Sequence, residues 1–62
     1  MRKQVVVGLF GETEGAVRYR EVDSAGAPIH GDREGAILGD IYLRKAAISD
    51  KPPKRLKVTI ED

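Results

Sequence analysis

Cysteine is absent from this 62-residue chain, which rules out a disulfide framework. The single histidine, His30, has no thiolate companions, so a structural zinc site is excluded as well. Aromatic residues are scarce: Phe10, Tyr19 and Tyr42 are all there are, fewer than surfaces built to stack bases usually carry. Long apolar runs are missing too. The run from Val5 to Phe10 is too short for a signal-peptide core and meets Glu12 and Glu14 directly afterwards. No stretch is long enough to span a membrane as a helix. Together these absences lead us to expect a cytoplasmic chain with no membrane contact, a reading consistent with the lack of cysteine.

A chain of 62 residues lies near the lower limit for a domain that folds alone. It typically buries only ~60% of its unfolded surface, and small folds then depend on tight packing or a partner subunit. We therefore expect one domain, residues 1–62, and a homodimer.

Net charge is only +1, but its distribution is polarised. Residues 23–40 carry four acids and one base, whereas residues 41–55 carry five bases and one acid.

Four segments read as strands. Residues 4–10 contain three consecutive β-branched valines, and residues 16–22, 36–45 and 56–61 follow, each bounded by glycine, proline or aspartate. Residues 56–61 alternate cleanly, with Leu56, Val58 and Ile60 on one face and Lys57, Thr59 and Glu61 on the other. Residues 4–10 are apolar on both faces, as in a central strand. Residues 36–45 are the ambiguous segment. A strand puts Ile37, Ile41 and Leu43 on one face and Leu38, Tyr42 and Arg44 on the other; a helix capped by Asp40 mixes apolar with basic residues on one stripe. The strand separates polarity better, and a single helical turn fits residues 46–50. Within the long connection of residues 23–35, Ala27, Pro28 and Ile29 suit a short edge strand. The pattern predicts an all-β fold: a small antiparallel sheet or barrel-like domain of three to five strands.

Motifs for catalysis are weak. Ser24 and Ser49 lie in loops without an oriented base, and His30 with Asp32 reads as a polar turn. Gly8, Gly11 and Gly15 match neither the dinucleotide fingerprint nor the P-loop, and their loop is acidic. Asp23, Asp32, Glu34 and Asp40 lack the spacing of a calcium loop. We expect neither enzyme activity, metal nor cofactor.

The basic segment is the remaining signal. With the second, third and fourth strands side by side, Arg18, Arg20, Tyr42, Arg44 and Lys57 share a face, with Lys45, Lys54 and Arg55 at its edge. Cations for phosphates and a ring for stacking fit single-stranded or non-specific nucleic acid. Glu21, Asp40 and Glu61 would neutralise part of this patch, and the plain alternative is a solvated sheet face. Val6, Phe10 and Leu38 beside Tyr42 would form an apolar second face suited to a dimer interface. The alternative function is a protein–protein module, an assembly adaptor or inhibitor, acting through the acidic residues 23–40 or that apolar face.

Overall fold

The computed structural model describes residues 1–29, 34–48 and 51–62. Among these residues the architecture is all-β: β1 (Arg2–Glu12), β2 (Ala16–Glu21), β3 (Asp40–Arg44) and β4 (Arg55–Glu61), with a short 3-10 turn at Lys45–Ala47. The strands form a single antiparallel sheet in the order β3-β2-β1-β4, curled into a half-barrel. Three strands follow one another and the fourth returns beside the first, the Greek-key arrangement. Among the described residues no helix is long and apolar enough to cross a membrane.

Strand periodicity explains which side is the core. On the inner face Val5, Val7, Val17 and Tyr19 are buried, and Leu38, Ile41, Leu43, Ile48, Leu56, Val58 and Ile60 pack against them half-buried. β1 is central, as its two apolar faces require. It also separates β2 from β4, so the second, third and fourth strands do not lie side by side. The reason is register. β1 is long enough for Val7 to pair with both Glu21 on β2 and Leu56 on β4.

The hairpin joining β1 to β2 is closed by Thr13, whose N–H donates to the Ala16 carbonyl at 2.8 Å while its Oγ1 accepts from the Ala16 N–H at 3.1 Å. Before it, the ladder slips between Leu9 and Gly11, leaving Phe10 as the extra residue of a β-bulge. The segment after β2 folds back on Asp23, whose carboxylate accepts from the Ala25 and Ala27 amides at 2.9 Å. The short edge strand expected at residues 27–29 is reduced to a single bridge between Val22 and Pro28.

Two buried polar groups fasten the loops to this sheet. Tyr19, fully buried, donates its hydroxyl to the Pro53 carbonyl at 2.7 Å and so ties down the loop between β3 and β4. Its removal from water pushes the phenol pKa up. Glu21 is 4% exposed, and its Oε1 accepts from the amides of Ile37, Leu38 and Gly39 at 2.8, 2.8 and 3.1 Å. Gly39 reaches this geometry with φ +79°, a conformation that favours glycine. Consequently β3 begins at Asp40, later than the expected residue 36. Leu38, expected on the outer face with Tyr42, packs against the core instead, while Ile37 is exposed.

Burial alone would raise the Glu21 pKa, but the three amides outweigh it together and the carboxyl titrates below its ordinary value. A carboxyl with a depressed folded-state pKa stabilises fully above its unfolded value of ~4.3, and that contribution is lost as the pH falls through the folded value. Glu21→Gln should therefore destabilise the fold at neutral pH by about 1.5–3 kcal/mol. It should also flatten the acid limb of stability against pH, measured by denaturant unfolding between neutral and strongly acidic buffer. A wild-type acid limb retained in the variant would assign that limb to other carboxylates.

Candidate ligand-binding face and pocket

The outer face of the sheet is built row by row from the register. Asp40, Arg20, Gly8 and Arg55 lie across it in one row. Tyr42 faces Arg18 in the next, and Val6 faces Lys57. Phe10, at the bulge, lies on this same side, where the Arg20 guanidinium lies 3.9 Å and the Arg18 guanidinium 4.8 Å from the ring centroid.

Asp40 organises the cations. It accepts two bonds from Arg20, at 2.7 and 3.1 Å, and lies 3.9 Å from the Nε of Arg18. The bond to Asp40 is the main reason the Arg20 pKa is raised. Arg20 is thus held over Phe10 by a bidentate pair, and Arg18 lies beside the same carboxylate and ring at longer range.

Gly8 leaves the centre of its row without a side chain, and a Cβ there would meet Cγ1 of Val22 at 3.3 Å. The result is an open pocket of about 380 Å³ floored by Gly8 and walled by Phe10 and Arg20 on one side and Lys54 and Arg55 on the other. Leu9, Val22, Gly26 and Pro28 complete it, and the Arg55 guanidinium rests against Gly26. Among the described residues, Lys54, Arg55 and Lys57 form no ion pair with a carboxylate. Positive charge on two sides of a partly apolar hollow suits an anion attached to a flat or apolar body.

The expected site residues are brought together only in part. Arg18, Arg20 and Tyr42 share the face with Arg55 and Lys57, and Lys54 stands at the pocket rim. Arg44 is opposite Ala16 at the far end of β3, and Lys45 is engaged by Glu12 at 3.4 Å. Of the three acids expected to offset the patch, Asp40 does so; Glu21 faces inward to the loop amides, and Glu61 is opposite Arg2. The proposed apolar set does not form one surface, because Val6 and Phe10 are on the outer face and Leu38 is not. Gly8 and Phe10 are among the pocket residues that sequence reasoning did not assign to ligand binding. A run of valines ending in Gly-Leu-Phe-Gly carries a hint of the bulge, but no hint of which strands flank it.

His30, Asp32 and Ser49 lie outside the described residues. Among the described residues no acidic or histidine cluster could hold a metal.

If the Arg20–Phe10 contact holds this face in shape, Phe10→Leu should lower Tm by roughly 3–6 °C while preserving the far-UV circular dichroism. An unchanged Tm would mean that the ring contributes no more than its apolar area. No protein-family model, curated protein or solved structure matches this chain, so the reading of its surface rests on its own residues.

Proposed function

We propose that this protein is a non-enzymatic binder of single-stranded nucleic acid, which runs across the outer face of the sheet. The carrying observation is the pocket in which Lys54 and Arg55 face the Phe10–Arg20 pair across a glycine floor. Phosphates would take Lys54, Arg55 and Lys57, whose charges carry no carboxylate partner among the described residues. Bases would use the exposed rings of Tyr42 and Phe10, which flank Arg18 on the same side. Arg20 contributes a position already fixed by Asp40 and Arg18 stands beside it, while Arg44 and Lys45 extend the positive edge at the end of β3.

A second reading has its own support. Val6, Ile37, Val22 and the acidic turn at Asp23 and Ser24 line a shallower hollow of about 250 Å³. Val6 and Ile37 are 38% and 49% exposed, an apolar–acidic combination that suits a basic protein partner.

Fluorescence anisotropy of a labelled oligothymidylate, titrated at two salt concentrations, separates the two. Saturable binding that weakens steeply with salt supports the nucleic-acid reading. Under that reading Arg55→Ala and Tyr42→Ala should each weaken binding by roughly tenfold. Asp40→Asn should tighten it, because it removes the carboxylate paired with Arg20 and Arg18 on this face. A flat titration at low salt would overturn the reading and move attention to the Val6–Ile37 hollow.

A further inference from the structure

β4 is an edge strand, and the direction of its backbone groups can be worked out from two bonds. The Leu9 N–H donates to the Lys54 carbonyl at 2.8 Å, and the Asp62 N–H donates to the Met1 carbonyl at 3.3 Å. In an antiparallel ladder hydrogen-bonded and non-hydrogen-bonded pairs alternate. With Val7 opposite Leu56, Val5 opposite Val58 and Lys3 opposite Ile60, those three pairs are therefore the hydrogen-bonded ones. The N–H and C=O groups of Leu56, Val58 and Ile60 point at β1. Those of Arg55, Lys57, Thr59 and Glu61 point away from it, toward the edge where β4 has no neighbouring strand among the described residues.

This edge lacks most devices that block strand addition. β4 is seven residues long, pairs with β1 without a bulge and contains no proline. Its alternation is also self-complementary. Turned antiparallel against a copy of itself about Val58, it sets Leu56 against the partner's Ile60 and Val58 against the partner's Val58 on the inner face. On the outer face Lys57 meets the partner's Thr59, and Arg55 meets the partner's Glu61. No like charges oppose one another. A shift centred on Lys57 would set that ammonium against its own copy, and one centred on Thr59 would shorten the ladder to residues 57–61.

We infer that β4 is the dimerisation strand: a second copy of this chain adds to it through a two-fold antiparallel pairing centred on Val58. Every outward amide and carbonyl of Arg55, Lys57, Thr59 and Glu61 then finds a partner. Leu56, Val58 and Ile60, only half-buried in one chain, are covered by their counterparts. The two sheets become one continuous sheet with both outer faces on the same side. The interface expected from the sequence, at Val6, Phe10 and Leu38, is replaced by this edge. The inference does not depend on nucleic-acid binding.

Thr59→Pro is the discriminating variant. It deletes an N–H that points outward and none that β1 uses, so the sheet of each chain is retained. Sedimentation equilibrium of the full chain over a wide concentration range should show a reversible dimer, and Thr59→Pro should be monomeric with unchanged circular dichroism. The register is tested by charge. Thr59→Lys should weaken the dimer several-fold by opposing the partner's Lys57, and Thr59→Glu should tighten it several-fold. A wild-type monomer throughout the range would overturn the inference. So would a dimer that survives Thr59→Pro, or charge variants that leave the dimer constant unchanged.

Discussion

The carboxylate of Glu21 is the constraint on which the rest of this small fold depends. A buried charge is tolerated only where its hydrogen-bonding capacity is met, and here three consecutive loop amides meet it through one oxygen. The same residue donates its own N–H to the Gly39 carbonyl and accepts from the Ile29 amide. One side chain and its backbone thus gather β2, the segment after it and the approach to β3. Gly39 then turns the chain so that β3 starts at Asp40. That starting point sets the register in which Asp40 faces Arg20 and Tyr42 faces Arg18. The outer face is downstream of an interaction on the inner one.

The two faces divide the work unequally. Among the described residues only four hydrophobic side chains on the inner face are buried, so the loops need specific tethers as well as apolar contact. Glu21 supplies one tether and the Tyr19 hydroxyl, bonded to Pro53, the other. The second tether matters to the outer face too, because Pro53 leads directly into Lys54 and Arg55. On the outer face the bulge at Phe10 performs the equivalent task. An unbroken alternation would already place Phe10 outward, but the extra residue bends β1 beneath both arginines and offsets their rows.

Much of this was legible in the sequence because side-chain alternation is a local property. Val5, Val7, Val17, Tyr19, Leu56, Val58 and Ile60 take the inner face that a two-residue period assigns them, and β1 is central as its two apolar faces demand. Strand order was not legible. A contiguous basic segment suggested that the third and fourth strands adjoin, whereas pairing is decided by how much ladder each strand offers, and β1 offers enough for two neighbours. Leu38 misled for a different reason. Periodicity extrapolated through Gly39 assumes extended backbone, and a positive φ at that residue reverses the assignment of everything before it. The charge pattern counts Glu21 among the acids that offset the patch, although alternation puts it on the inner face with Val17 and Tyr19. What no local pattern reveals is the three amides sixteen to eighteen residues ahead that meet it there.

The odd residues of β4 join the two proposals physically. Arg55, Lys57, Thr59 and Glu61 send their backbone groups to the free edge and their side chains to the outer face, so under the two proposals Arg55 and Lys57 would serve both pairing and ligand contact. Lys57 is an edge charge of the kind that discourages indiscriminate strand addition. In the two-fold register two such lysines lie on either side of the seam, each beside a threonine, and their mutual repulsion opposes association. A polyanion lying across the seam would neutralise both at once, so it would bind the dimer more tightly than either chain alone. Linkage then requires the converse: the free energy by which the polyanion prefers the dimer is the free energy by which it strengthens the β4 pairing. The charge that keeps a lone edge strand from aggregating would make its one permitted partnership responsive to ligand.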